Sequence, residues 1–179
     1  MSIEWFIGRL YPHRRPIHDA AKFDSSSAIY KAAEAHSKSY ADVMKLASKD
    51  VSIPRVAQAL YNHYGPKFTS FTEGYVVTIP GGENGIKGIE AHLNRFDKSG
   101  LGLDIEMVGL RVEGISSSAA ACWITWRIHP RKPEVQPWSW TNVYGFRLPK
   151  GAEKGHWEYA ISDQEIELII QRVPDFMEL

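Results

Sequence analysis

Two aromatic runs late in the chain constrain the fold more than any other feature of the sequence. One is Trp123-Ile-Thr-Trp-Arg-Ile-His129, and the other is Trp138-Ser-Trp-Thr-Asn-Val-Tyr-Gly-Phe-Arg147. Both are rich in aromatic and β-branched residues and lack a helical period, which is typical of successive antiparallel strands. The segments 101–113 and 155–161 extend this pattern. The second half of the chain is therefore predicted to form one curved antiparallel sheet.

Helical patterns occupy the first half of the chain instead. Apolar residues recur at intervals of three and four at 24–47, 52–64 and 86–100, as they do on the buried stripe of an amphipathic helix. Short strands are expected between these helices, at 67–72 and 75–79. Together the two halves predict a sheet with helices laid across one face, which is an α+β fold.

Two polar segments mark a turn and a helix start. The segment Gly81-Gly-Glu-Asn-Gly85 is glycine-rich like a phosphate-binding loop. No Gly-Lys-Ser or Gly-Lys-Thr follows it, so we interpret it as a turn. The segment Ser162-Asp-Gln-Glu165 matches a capping box, in which the Ser and Glu side chains bond backbone N–H groups at a helix start. It predicts a closing helix at 166–172.

The composition limits the domain organisation and the partners. The chain has 179 residues, the size of a single domain, which we place at 24–179 behind an N-terminal arm at 1–23. Lys plus Arg and Asp plus Glu both number 21, so we expect no basic surface for nucleic acid or an anionic membrane. No stretch resembles a secretory leader or reaches the roughly 20 apolar residues of a membrane span. A cytoplasmic location is therefore expected.

Several common site types are absent from the sequence. The single cysteine, Cys122, cannot form an internal disulfide and lies inside a predicted strand, which suits a buried apolar role in a reducing compartment. There is no Gly-x-Ser-x-Gly, His-Glu-x-x-His or Cys-x-x-Cys motif, and His13 and His18 have no third ligand nearby. We therefore expect neither a metal ion nor a cofactor.

Residue alternation in the two aromatic strands predicts one apolar face. The even positions of 119–129 are all apolar, and those of 137–148 are apolar except for Asn142. These apolar even positions are Ala120, Cys122, Ile124, Trp126, Ile128, Trp138, Trp140, Tyr144, Phe146 and Leu148. A buried amide left unpaired costs roughly 1 to 3 kcal/mol. Asn142 is therefore expected either to bond a buried neighbour or to contact a ligand.

His36 and Tyr40 both lie on the apolar stripe of the first helix, where Leu or Ala would serve equally well for packing. The simpler interpretation is a hydrogen-bonded histidine and tyrosine in the core. The alternative is that both side chains overlook a cavity, where an imidazole that titrates near neutral pH can transfer a proton.

Four short segments, together with the order of the elements, carry a resemblance to a known family. They are Tyr64-Gly-Pro-Lys-Phe68, Gly88-Ile-Glu-Ala-His-Leu93, Trp123 to Arg127, and Asn142 to Arg147. Over roughly residues 26–165 the chain resembles the nuclear transport factor 2-like superfamily, and most of all its SnoaL-type polyketide cyclase and dehydratase branch. The resemblance implies a cone, in which a strongly curved sheet wraps a long helix and a hydrophobic cavity opens at the wide end. It also implies that the convex face of the sheet can form a homodimer.

Catalytic members of that superfamily carry an Asp or a His that projects into the cavity. Here the candidates to move a proton are His36 and Glu158, and Asn142 is the candidate to bond a developing oxyanion. An apolar cavity would raise the pKa of Glu158 towards neutral, whereas the alternative is a surface charge on the exposed face of the sheet. The expected lining of the cavity is Tyr40, Trp126, Trp140, Tyr144 and Phe146. Ordinary core packing is the alternative for all five.

Two functional hypotheses follow. In the first, the protein binds an apolar or aromatic small molecule and transfers a proton on it, as an isomerase, cyclase or dehydratase does. His36 or Glu158 would then be the base, and Asn142, Tyr40 or Tyr144 would bond the oxyanion. In the second, the cavity is a filled core, and the convex sheet face with the apolar N-terminal arm forms a homodimer or binds a partner. Because members of the superfamily include enzymes and plain ligand binders, the fold does not decide between them.

Overall fold

The structure, a computed structural model, describes residues 25–49 and 52–179, so the predicted arm at 1–23 lies outside the described residues. The helices are α1 (Ala28–Ala47), α2 (Ile53–Tyr61), α3 (Glu83–Lys98) and α4 (Asp163–Ile170), followed by a 3-10 helix at Phe176–Glu178. The strands are β1 (Tyr64–Thr72), β2 (Tyr75–Ile79), β3 (Ile105–Ser116), β4 (Ala119–Ile128), β5 (Trp138–Arg147) and β6 (His156–Ile161). The predicted α+β class is confirmed.

The six strands form a mixed sheet in the order β2-β1-β6-β5-β4-β3. Neighbouring strands run antiparallel except for β1 and β6, which pair in parallel with Ser70 opposite Ala160. The prediction of a purely antiparallel sheet is therefore wrong at this pair. Side-chain alternation identifies a strand but not its partner, and β1 reaches the middle of the sheet from the helical half of the chain.

One face of the sheet carries the apolar core, as the alternation in β4 and β5 predicts. The even-numbered residues of both strands are buried, from Ala120 and Ile124 in β4 to Trp140 and Phe146 in β5. α1 packs against β3 and β4 on this face, and the small side chain of Ala33 is fully buried there. We call this the inner face of the sheet and the opposite one the outer face.

The helix starts follow local backbone chemistry. Ser27 caps α1, because its hydroxyl accepts a hydrogen bond from the Tyr30 N–H at 3.3 Å. α3 begins at Glu83, earlier than predicted, so the turn predicted at 81–85 ends at Gly82. The φ of Gly82 is 72°, a left-handed conformation that L side chains rarely adopt. The glycine cluster is therefore mainly a helix start rather than a loop.

β6 carries a bulge that changes which of its side chains face the core. Gly145 of β5 pairs with Tyr159, whereas the next residue of β5 pairs with Trp157, so Glu158 has no partner in the ladder. An extra residue of this kind shifts the alternation of the strand by one position. Trp157 and Ala160 are consequently both buried, although they lie three positions apart.

The contact between β5 and β6 predicts a strong effect of adding one methyl group. Gly145 lies under the ring of Tyr159, and a Cβ atom there would overlap that ring. Overpacking of this kind costs about 1 to 3 kcal/mol, so Gly145→Ala should lower the free energy of unfolding by that amount in urea titrations. Gly88 of α3 has open space around it, so Gly88→Ala should instead raise this free energy by up to about 1 kcal/mol. Equal stability of the two variants would contradict the packing described.

Candidate functional site

A cavity of about 730 Å³ lies between the inner face of the sheet and the helices α3 and α4. Its wall is largely apolar and includes Leu60, Phe68, Ile89, Leu93, Phe96, Ile105, Ala160, Ile166 and Ile170. Exposed lining residues, among them Tyr75, Val77 and Met177, mark its opening to solvent. The volume is within the range of roughly 300 to 1,000 Å³ that small-molecule sites occupy.

One carboxylate, that of Glu165, lies on this apolar wall. It belongs to the first turn of α4, and its side chain is only 13% exposed. Asn142 Nδ2 donates to Glu165 Oε2 at 2.6 Å, and His92 Nε2 lies 3.3 Å from Glu165 Oε1. Both carboxylate oxygens are therefore held, one from β5 and the other from α3. Of the two outcomes expected for Asn142, the bond to a buried neighbour is the one observed.

The predicted capping box does not form, and Glu165 bonds Asn142 and His92 instead. The Ser162 side chain makes no bond to the start of α4, and its hydroxyl lies 2.7 Å from that of Thr72 on β1. Other contacts fix the first turn of the helix. In particular, Gln164 Oε1 accepts the Thr141 N–H of β5 at 2.5 Å. The motif therefore marks the helix start correctly, but it does not describe what Glu165 binds.

Three tyrosine hydroxyls lie near this carboxylate. Tyr40 and Tyr64 are joined through their hydroxyl oxygens at 2.9 Å, and the Tyr144 hydroxyl lies 3.4 Å from Asn142 Nδ2. Burial raises the pKa of Tyr64 to about 12, and the charge of Glu165 adds to this effect. Burial raises the pKa of Tyr40 and Tyr144 well above the ordinary value too. All three hydroxyls therefore keep their protons at neutral pH and can donate hydrogen bonds.

Four of the five residues predicted to line the cavity lie on its wall, namely Tyr40, Trp126, Trp140 and Tyr144. The fifth, Phe146, is fully buried away from the wall. Its ring centre lies 5.2 Å from that of His36 and 5.9 Å from that of Trp157. The inner face of β5 thus lines the cavity at one end and packs as solid core at the other.

His36 is half-buried against this part of the core rather than on the cavity wall. Its Nε2 is 3.2 Å from the His63 carbonyl oxygen, and its ring meets that of Trp157 edge-on at 4.5 Å. Burial, together with nearby His63 and His156, lowers the pKa of His36 from 6.5 to about 4. The imidazole is therefore neutral at pH 7. His36 contacts the His63 carbonyl group, whereas Asn142 bonds Glu165. The two side chains therefore have separate partners and are not joined by a hydrogen bond.

Glu158 lies on the outer face of the sheet, not in the cavity. Arg147 Nε and Nη2 donate to Glu158 Oε1 and Oε2, each at 3.0 Å. This bidentate bond to Glu158 raises the pKa of Arg147. The bulge in β6 is the reason for the difference from the expected inward position, because it reverses the alternation on which the expectation rests. The alternative interpretation, a charge on the exposed face, describes the observed position.

Sequence reasoning missed Glu165 and His92 as neighbours in one site. The capping motif accounts for Glu165 without a site, and no motif in the sequence gives His92 a chemical role. One signal was available, since Glu165 precedes Ile169 by four residues and therefore shares its side of a helix. Ile169 is fully buried, so this spacing is a signal that could have indicated an inward-facing carboxylate.

Other kinds of site find little support within residues 25–49 and 52–179. No group of three or more His, Cys, Asp or Glu side chains in this part of the chain is arranged to hold a metal ion. None of the helices described there has the length and apolar character needed to cross a membrane. Cys122 is buried, and burial raises the pKa of its thiol to about 11, so the unreactive thiol is the abundant form at neutral pH.

The low pKa of His36 predicts how stability depends on pH. Between pH 6.5 and about 4 the unfolded chain binds a proton at this imidazole that the folded chain does not. The free energy of unfolding should therefore fall as the pH is lowered through this range. Burial lowers the pKa of His63 as well, so His63 acts in the same direction.

Urea unfolding at several pH values measures this effect in wild type and in the His36→Gln variant. The pH dependence should be weaker in His36→Gln, because glutamine does not titrate in this range. The same slope in wild type and His36→Gln would show that the buried imidazole does not cause the loss.

Comparison with known proteins gives structural matches only. No protein-family model matches the sequence, and a search of curated proteins finds no match. Among solved structures, a nuclear transport factor 2-like protein of unknown function from Shewanella oneidensis is 11% identical, with a TM-score of 0.52 and coverage of 73% of this chain and 95% of that one.

Two further structures match at a similar level. A ketosteroid isomerase-like protein from Erwinia carotovora atroseptica is 15% identical, with a TM-score of 0.51 and coverage of 73% and 92% of the two chains. A domain of unknown function with a cystatin-like fold from Nostoc punctiforme is 16% identical, with a TM-score of 0.51 and coverage of 86% and 88%. At such low identities the likeness establishes architecture and not activity. The chain therefore has the nuclear transport factor 2-like fold expected from its sequence.

Proposed function

We propose that the protein binds an apolar or aromatic small molecule in the cavity and that Glu165 transfers a proton on it. The observation that carries this proposal is the largely buried carboxylate of Glu165 on an apolar wall, held at both oxygens by Asn142 and His92. A charged group is costly to bury, so its presence in an interior site favours a chemical role over a packing role. The class of reaction is isomerisation, cyclisation or dehydration.

In this mechanism a carbonyl compound enters with the carbon next to its carbonyl group close to Glu165. The carboxylate takes a proton from that carbon, and the electron pair of the broken C–H bond moves into an enolate. A neutral tyrosine hydroxyl, that of Tyr144 or Tyr40, donates a hydrogen bond to the enolate oxygen. Return of the proton to another carbon completes an isomerisation, and loss of a β-hydroxyl as water completes a dehydration.

Asn142 has a positioning role in this proposal rather than the oxyanion role expected from the sequence. Asn142 Nδ2 donates to Glu165, and this bond fixes the position of the carboxylate. His92 is partly exposed and contacts the other carboxylate oxygen, so it connects the base with solvent. His36 and Glu158 have no part in the proton transfer, because neither lies on the cavity wall.

The test is proton exchange at the carbon next to the carbonyl group of a bound ketone. A panel of aromatic ketones and polyketide-like compounds is incubated with the protein in D2O, and exchange is followed by NMR. Glu165→Gln should slow the exchange by about 10² to 10⁴ fold, the contribution typical of a positioned base. Glu158→Gln is the matched control and should leave the rate unchanged, since its carboxylate lies on the outer face beside Arg147.

Tryptophan fluorescence separates binding from catalysis in the same panel, because Trp126 and Trp140 lie on the cavity wall. A fluorescence change without any proton exchange would leave a ligand-binding protein that is not an enzyme. If no compound alters the fluorescence or exchanges a proton, the proposal is wrong.

A homodimer through the outer face is a second candidate, and it is compatible with the first. Neighbouring strands place an apolar row across this face, in which Val76, Phe71, Ile161, Val143 and Trp123 are paired successively along the ladders. Val76 is 64% exposed, and Phe71 and Ile161 are each 40% exposed. An exposed apolar row of this length favours contact with another protein surface, here a second copy of the chain.

Charge substitution tests this dimer. Ile161→Lys should raise the dissociation constant of the dimer by about tenfold or more, because the interface would bury an unpaired charge. Leu46→Lys is the control, since Leu46 is exposed on α1, away from the outer face. Light scattering over a range of protein concentrations measures the mass. A monomeric wild-type protein, or a dimer unaffected by Ile161→Lys, contradicts an interface at this row.

A further inference from the structure

We infer that the ligand of the cavity is an organic carboxylate, with an apolar body inside the cavity and its carboxylate bound to Arg95. This inference rests on the proposed function, because it names the class of molecule that the same cavity takes. The carrying observation is that Arg95 lines the cavity, is half-buried as a residue, and has no partner for its guanidinium in the described part of the chain.

Two other arginines show what Arg95 lacks. Arg131 pairs with Asp97 at 2.6 Å, and Arg147 pairs with Glu158 at 3.0 Å. Within residues 25–49 and 52–179, no carboxylate lies within ion-pair distance of Arg95 and no acceptor bonds its guanidinium. A guanidinium beside an apolar wall that has no partner can bind an anion through charge-assisted hydrogen bonds.

The charges around the cavity leave Arg95 available to a ligand. It is the one lysine or arginine side chain among the lining residues that the structure describes. Of the acidic lining residues, Glu165 is engaged by Asn142 and His92, and Glu73 is exposed to water on the β1–β2 hairpin. Neither is paired with Arg95, so neither neutralises it.

The position of Arg95 fixes how such a ligand lies. It follows His92 by three residues on α3, so the two side chains lie on neighbouring turns of one helix face. His92 contacts Glu165, and therefore a carboxylate at Arg95 places the rest of the molecule within reach of the proposed base. The apolar side chains of Ile89 and Leu93, which line the same cavity, would contact its body. The ligand class is thus an aliphatic or aromatic carboxylic acid.

Matched pairs of acids and neutral amides test this inference. The probes are 1-naphthaleneacetate with 1-naphthaleneacetamide, and octanoate with octanamide, titrated into the whole protein by calorimetry. Each acid should bind about tenfold tighter than its amide, the scale of a hydrogen-bonded charge pair at a partly exposed site. Arg95→Gln should remove this preference by weakening the acid while leaving the amide unchanged.

Two further variants make the outcome specific to this side chain. Lys87→Gln removes a positive charge from the same helix at an exposed position paired with Glu83, and it should keep the preference for the acid. Arg95→Lys retains the charge and should keep part of the preference for the acid. This result would also show that loss of the preference in Arg95→Gln is not due to a folding defect.

Equal binding of acid and amide to the wild-type protein overturns the inference and leaves the proposed ligand-binding function standing. A preference for the acid that persists in Arg95→Gln likewise overturns it. Absence of binding by all four probes overturns the carboxylate inference, and the ketone panel then decides separately whether the proposed function fails as well.

Discussion

Packing of α1 on the inner face of the sheet, against β3 and β4, is the interaction on which the rest of the structure depends. Alternate side chains of β4 are removed from water beneath this helix, and each buried Å² of apolar surface stabilises the fold by roughly 25 cal/mol. Ala33 and Ser37 are fully buried in this contact, whereas Tyr40 and Met44, further along the helix, lie on the cavity wall. The same helix therefore closes the core at one end and bounds the proposed site at the other.

The site itself depends on the place where β6 stops. The ladder between β5 and β6 ends at Val143 and Ile161, and beyond it the Thr141 N–H is accepted by Gln164 of α4. Along this edge of β5, α4 therefore replaces β6 as the hydrogen-bonding neighbour. Because α4 crosses here, Glu165 faces Asn142 on the sheet, and the carboxylate is held by elements far apart in the sequence.

The sequence predicts the elements and the apolar face well, because these depend on local periodicity. Trp126 and Trp140 lie on the cavity wall as alternation indicates. Prediction fails where a single position breaks the period or where a motif has two uses. The bulge at Glu158 turns that residue to the outer face. Glu165 fits a capping motif whose bonds are not made, and only tertiary contacts decide between cap and cavity.

The paired hydroxyls of Tyr40 and Tyr64 have a consequence for what the interior can accept. Each hydroxyl has one proton and two lone pairs, and either oxygen of this pair can be the donor. Reversing the shared bond exchanges a donor for an acceptor without moving any carbon atom. At this point the cavity wall can therefore present either a donor or an acceptor, which is what the ketone and enol forms of the proposed ligand would each require from one rigid scaffold.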